Sequence, residues 1–173
     1  MSIKAVAFDI DGTLTTSDRE QVLDYMGIKA ADARAGAGEL VNHYVAKGYH
    51  PIFLTGRTYW YAKGARNWLS SYLNVPDFTL RTTKNNETGL FNVAEYKASE
   101  ISNFKAQGIE IFRAYGNAST DIEAYEAAGI PKSDTYIVGK NAGASGTQSI
   151  SNGNYWDHLN EIAYPNTPHS GCL

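Results

Sequence analysis

Apolar residues fall along this chain in two rhythms. Short continuous runs, at Ala5-Val6-Ala7-Phe8, Pro51-Ile52-Phe53-Leu54-Thr55, Phe78 to Thr82, Ile109 to Tyr115 and Thr135 to Val138, read as buried strands. Between them lie stretches with helical spacing. Ala33 to Lys47 sets Leu40, Val41, Tyr44 and Val45 on one side and stops at Gly48. Tyr59 to Leu73 repeats Trp60, Lys63/Gly64, Asn67/Trp68 and Ser71 at helical intervals. Val93 to Gln107 offers Tyr96, Ile101 and Phe104 to a core. Ser119 to Ala128 predicts a helix capped by Ser119 or Thr120 and stopped by Gly129. Shorter helices are predicted over Asp18 to Met26, capped by Ser17 or Asp18, and over Tyr155 to Ile162. Lys84 to Gly89 reads as a polar turn, and Gly139 to Gly153, rich in Gly, Ser, Asn and Ala, as a mobile loop. Strands that alternate with helices predict an α/β fold, a doubly wound parallel sheet in three α/β/α layers. One domain is expected over residues 1–164, followed by a tail over 165–173.

Composition narrows the function classes. With 173 residues, 43% of them hydrophobic, the chain can bury a sizeable core. Its net charge of −3 and the lack of a like-charge block give no nucleic-acid footprint. One cysteine, Cys172, excludes a disulfide framework and fits a reducing compartment. No apolar stretch approaches the length of a membrane span, and no charged n-region precedes an apolar h-region. A cytoplasmic location is expected, compatible with peripheral attachment to membranes. Twelve tyrosines and three tryptophans suit cores and interfaces alike.

Chemistry concentrates at strand ends, where open α/β sheets place their ligands. The first strand runs into Asp9-Ile10-Asp11-Gly12-Thr13. Two carboxylates there can hold a hard cation and present an oxygen nucleophile; an acidic turn is the plainer alternative. The second strand ends in Leu54-Thr55-Gly56-Arg57. Thr55 and the backbone from Gly56 can bond a phosphate oxygen, or Thr55 can simply cap a helix. Lys97 can offset phosphate charge or sit in solvent. Gly116-Asn117-Ala118-Ser119-Thr120-Asp121 places Asn117 and Asp121 four apart, fit for a magnesium site or for a capped helix start.

In order, Asp-x-Asp-Gly-Thr, apolar-Thr-Gly-Arg, lysine and Gly-Asn-x-x-x-Asp resemble the four-motif signature of the haloacid dehalogenase-like phosphohydrolases. The short spacings between Thr13, Thr55 and Lys97 resemble the capless or minimally capped members. Several elements carry a nearer resemblance, to the lipin/LNS2 phosphatidate phosphatase domain and its relative in phosphatidylinositol transfer proteins. They are Leu14-Thr15-Thr16-Ser17-Asp18, Arg57 with Arg66-Asn67-Trp68-Leu69, Tyr96-Lys97, Asp121 to Tyr125 and Gly129-Ile130-Pro131. Tyr155 and Leu159 also fit its last helix. The Lys-Pro-rich lead-in to the lysine motif is absent, and the 139–153 segment is unlike that group.

The resemblance implies a Mg2+-dependent phosphomonoester hydrolase working through an aspartyl-phosphate. Asp9 would be nucleophile and Asp11 general acid and base. Thr55, Gly56 and Lys97 would hold the phosphoryl group. Asn117 and Asp121 would complete the metal shell with Asp9 and the Ile10–Asp11 backbone. The implied substrate is phosphatidate, cleaved to diacylglycerol and phosphate at a membrane surface. Arg57 and the aromatics Tyr59, Trp60 and Tyr61, with Trp68, are candidate substrate or membrane contacts, since three consecutive aromatics on a helix cannot all face one core; packing under the adjacent loop is the alternative for the aromatics. Two alternatives stand beside it: a small soluble phosphomonoester as substrate, or a non-catalytic domain that binds phosphatidic acid. The intact pair of Asp9 and Asp11 favours an enzyme.

Overall fold

The computed structural model describes residues 2–16, 31–83 and 92–163. The helix expected over Asp18 to Met26, the polar turn at Lys84 to Gly89, Cys172 and the tail over 165–173 lie outside the described residues.

Six strands form one sheet: β1 (Ile3–Asp9), β2 (His50–Thr58), β3 (Thr79–Thr83), β4 (Ile109–Gly116), β5 (Thr135–Val138) and β6 (Gln148–Ile150). Their order is β3-β2-β1-β4-β5-β6, and every pairing is parallel. The helices are α1 (Ala37–Ala46), α2 (Ala62–Asn67), α3 (Val93–Ala106), α4 (Ser119–Ala127) and α5 (Trp156–Ala163). The period-2 alternation of β1 divides the core in two. Val6 and Phe8 pack with Leu40, Val41, Tyr44, Leu69 and Tyr155 on one face. Ala5 and Ala7 pack with Ile101, Phe104, Ala124 and Tyr125 on the other. The result is the expected three-layer doubly wound architecture. Because β1 sits between β2 and β4, the strand order reverses there, and a crevice opens beyond its carboxyl end.

Four local expectations are corrected. The segment from Gly139 to Gly153 is built rather than loose: it contains β6, paired with β5 through Tyr136↔Gln148 to Val138↔Ile150, flanked by 3-10 turns. Its glycines misled because they serve tight turns at positive φ, as at Gly143 (φ 77°), inside an ordered connection. Helix α1 starts at Ala37, not Ala33, because Ala33 instead forms an antiparallel bridge with Thr15. Tyr59 to Leu73 is broken into a 3-10 turn (Tyr59–Tyr61), α2 and a π-helical turn (Trp68–Tyr72). Neither Ser119 nor Thr120 caps α4: its N-cap is Ala118, and Asp121 from inside the helix takes the free N–H groups. Among the described residues no helix is long and apolar enough to cross a membrane.

Candidate active site

Asp9 is the last residue of β1 and is 4% exposed. Its Oδ1 accepts a hydrogen bond from Lys97 Nζ at 2.6 Å, and its Oδ2 accepts one from the Thr13 hydroxyl at 2.8 Å. Lys97, one turn into α3, is buried and reaches Asp121 Oδ1 as well, at 2.7 Å. The solvated-lysine alternative is therefore overturned: the ammonium is the bridge between two carboxylates. Burial alone would lower the lysine, but Asp9 and Asp121 outweigh it and hold it above its ordinary value. Burial, reinforced by Asp121, pushes the Asp9 carboxyl up to about 7 against the pull of Lys97.

Asp121 is anchored on its other side by backbone. Its Oδ2 accepts N–H bonds from Asn117 at 3.0 Å and Ala118 at 3.1 Å. This carboxylate at the start of α4 is also favoured by the helix dipole. Gly116 permits the approach: a Cβ there would lie 2.5 Å from the Asp121 Cβ. Asn117 turns its Oδ1 toward the Thr13 hydroxyl at 3.2 Å, so both ends of the last motif join the Asp9 cluster.

Asp11 belongs to a separate group. Its Oδ1 takes the Arg57 Nε–H at 2.7 Å and its Oδ2 takes the Thr55 hydroxyl at 3.0 Å. Burial raises the Asp11 carboxyl above its ordinary value, opposed by Arg57 and Thr55. Arg57 in turn lies over the Tyr61 ring, 4.9 Å from its centroid. Thr55 also accepts the Arg57 N–H at 3.1 Å. Thr55, Gly56 and Arg57 lie within β2, and α2 begins only at Ala62, so no helix N-terminus backs Thr55. A Cβ at Gly56 would meet Val93 Cγ1 at 2.9 Å, so glycine lets β2 and α3 close on each other.

Two residues of the surrounding frame carry no local motif pointing to this role. The Arg34 guanidinium donates to Gly12 O at 2.6 Å, Thr13 O at 3.1 Å and Gly153 O at 2.7 Å. The Tyr155 hydroxyl donates to Thr13 O at 2.9 Å. Thr13 itself, part of the first motif, links Asp9 to Asn117. Arg34 and Tyr155 are remote in sequence from the turn they brace, so only the fold brings them there.

A pocket of about 300 Å3 opens on Asp9, Asp11, Arg57, Lys97, Asn117 and Asp121. Just past Arg57 along the chain, Trp60 is 73% exposed and Tyr59 46%, their rings 4.2 Å apart. Trp68 is not with them: it is buried, its indole N–H donating to Ala31 O at 3.0 Å, which removes it as a substrate contact. No trio of His, Cys, Asp or Glu among the described residues makes a ready metal cage. The donor set nonetheless suits Mg2+, which takes few protein oxygens and keeps its waters. Asp9, Asp121 and Asn117 bring oxygens into one hydrogen-bonded cluster. Among the described residues, three carboxylates there meet two cations, Lys97 and Arg57.

The family model for the LNS2 domain of PITM 1–3 matches residues 6–139. Protein retinal degeneration B of Drosophila melanogaster is 31% identical over 140 residues, 79% of this chain and 10% of that protein. Membrane-associated phosphatidylinositol transfer protein 1 of Rattus norvegicus is 30% identical over 141 residues, 79% of this chain and 10% of that one. The chain thus spans about a tenth of the length of these relatives. Among solved structures, the cobalt-bound deoxy-D-mannose-octulosonate 8-phosphate phosphatase of Haemophilus influenzae shares the fold. Its TM-score is 0.60 at 18% identity, covering 95% of this chain and 88% of that one.

Proposed function

The chain belongs to the family of LNS2 domains, with a haloacid dehalogenase-like fold, and from that premise we propose that it hydrolyses phosphomonoesters, with phosphatidate as its substrate. The observation that carries the reading is the separation of Asp9 from Asp11. The two carboxylates leave one turn yet have different partners: Lys97 and Thr13 for Asp9, Arg57 and Thr55 for Asp11. Two carboxylates with different environments can take two different tasks.

In this mechanism an Asp9 oxygen forms the bond to phosphorus as the ester P–O bond breaks. Asp11, its carboxyl raised by burial, gives its proton to the leaving oxygen. It then takes a proton from the water that attacks the aspartyl-phosphate, which frees phosphate and restores Asp9. Lys97 holds Asp9 in place and balances charge beside the phosphoryl oxygens. Asp9, Asp121 and Asn117 would hold Mg2+, whose charge when bound offsets the repulsion between a carboxylate and a phosphate dianion.

The lipid assignment is supported by the exposed aromatic residues that follow Arg57 in the chain and by the relatives named as phosphatidylinositol transfer proteins. Exposed Tyr59 and Trp60 suit a wet–apolar boundary. From Gly56 to Pro76 the chain carries Arg57, Lys63 and Arg66 and no acidic residue, which favours an anionic surface despite the overall negative charge. Peripheral contact with membranes follows from the same surface.

The test is Mg2+-dependent phosphate release, measured on phosphatidate in mixed micelles and on soluble sugar, nucleotide and amino-acid phosphates. Preferred turnover of phosphatidate is the expected result. Preferred turnover of a soluble ester would overturn the lipid assignment, and vesicle binding without turnover of any ester would overturn the enzyme.

A further inference from the structure

A second pocket, of about 340 Å3, lies between α1, α5 and the sheet and shares no lining residue with the candidate active site. Its charges come from several elements: His43 and Lys47 from α1 and its end, Arg113 from β4, and His158 and Glu161 from α5. The balance is positive, and among the described residues no carboxylate pairs with Lys47 or Arg113. Lys47 makes only a 3.5 Å contact to the Ile162 carbonyl oxygen. Arg113 hydrogen-bonds through Nη1 to the Tyr44 hydroxyl at 3.0 Å, while its buried Nε has no partner. The buried His43 Nε2 has none either. Glu161 is directed to His158 Nδ1, 3.6 Å away, and forms no ion pair with Arg113 or Lys47.

The walls are aromatic. The Arg113 guanidinium lies over the Phe112 ring at 4.8 Å and the Tyr136 ring at 5.3 Å. Phe112 is itself stacked on Tyr49, with centroids 5.0 Å apart. A half-buried guanidinium whose Nε lacks a partner carries a desolvation cost that a counter-charge offsets. The depressed His43, lowered by burial and then by Lys47 and Arg113, reports the same positive field. Concave sites with aromatic walls and a few polar anchors are where small ligands bind.

We propose that this pocket binds a compact anion built on a small planar ring that carries a carboxylate or a phosphonate-type oxyanion. Arg113 and Lys47 meet the charge, and Tyr49, Phe112 and Tyr136 cover the ring. This site is independent of the phosphatase assignment.

The probes are benzoate and phenylphosphonate, with benzamide as the neutral isostere and acetate as the anion without a ring. They are titrated into the full chain while the Arg113 Nε–H and His43 ring resonances are followed by NMR, which reads this pocket and not the Asp9 site. Saturable shifts are expected from benzoate, phenylphosphonate or both, roughly tenfold tighter than from acetate, with none from benzamide. Benzoate alone would assign a carboxylate ligand and phenylphosphonate alone a phosphoryl one. Lys47→Ala, at an exposed position, is expected to weaken binding by roughly tenfold, the scale of one charge-assisted contact. Arg113→Gln, checked for folding by circular dichroism, is expected to abolish it. Absence of saturable shifts from both ring anions, equal binding of benzamide, or unchanged affinity in Lys47→Ala would overturn the proposal.

Discussion

Lys97 and Asp9 meet 2.6 Å apart, Nζ to Oδ1, with both side chains shut away from solvent. A buried ammonium between two carboxylates is stable only while all three are present, because each offsets the desolvation of the others. Lys97→Met would leave Asp9 and Asp121 facing each other without a cation. We expect a loss of roughly 3–5 kcal/mol in unfolding free energy, read from the urea midpoint, together with loss of the proposed phosphatase activity. A midpoint equal to that of the unmodified chain would refute the bridge.

The division between the two aspartates has its own signature. Under the proposed mechanism, Asp9→Asn would remove the attacking oxygen and is expected to abolish the phospho-enzyme. Asp11→Asn would remove the proposed proton carrier but leave the Asp9–Lys97–Asp121 group intact, so it should block turnover while metal binding is largely kept. Beryllofluoride trapping in the two variants separates them. Trapping by Asp11→Asn and not by Asp9→Asn is the expected pattern, and equal trapping would end the assignment.

Much of this arrangement was legible in the sequence, for a physical reason. Parallel strands buried on both faces write continuous apolar runs, so β1, β2, β4 and β5 stand out, and the polar residues that end them stand out against them. Lys97 was harder. It sits on a polar helix, and only the closure of α3 onto β2 across Gly56 turns it inward. Arg34 and Tyr155 were illegible as site residues, since both act on the carbonyls of a distant turn and carry no local pattern. The Gly139 to Gly153 segment misled for the opposite reason: glycine marks tight ordered turns as readily as loose ones.

Gly116 tests how tightly Asp121 must sit. An alanine Cβ would lie 2.5 Å from the Asp121 Cβ and 2.8 Å from its Oδ2, closer than atoms tolerate. Either β4 shifts or Asp121 leaves the Asn117 and Ala118 N–H groups. Gly116→Ala is expected to cost roughly 1–3 kcal/mol, as for overpacking of a filled interior, with activity falling more than stability. Unfolding and turnover both within error of the parent would show that the site has more room than this geometry allows.

Trp60 separates substrate engagement from folding. It is largely exposed, so Trp60→Ala should change stability by less than about 0.5 kcal/mol, as surface substitutions do. If Tyr59 and Trp60 engage membranes, the same change should weaken sedimentation with phosphatidate-containing vesicles. Hydrolysis of a soluble ester should be unaffected. Unchanged vesicle binding would remove the aromatic pair from the lipid reading.

His158 gives the fold a pH dependence of definite sign. Its ring is buried in α5, with Nε2 2.7 Å from the Tyr115 hydroxyl, Tyr136 from β5 against it and Glu161 at Nδ1. Burial first, then Arg113 from β4 and His43 from α1, push it down from 6.5 to about 4. The unfolded chain therefore binds a proton that the folded chain refuses between those values. Stability is unaffected by this group above about pH 7, and it falls as the pH drops from about 6.5 toward 4, by at most about 1.4 kcal/mol per pH unit. His158→Phe lacks this proton, so the difference in unfolding free energy between parent and variant isolates it from the carboxylates. That difference should be flat from pH 7 to 8 and move against the parent from about pH 6.5 downward. A difference that stays constant from pH 8 to 5 would mean that the imidazole accepts its proton in the folded state as readily as in the unfolded one.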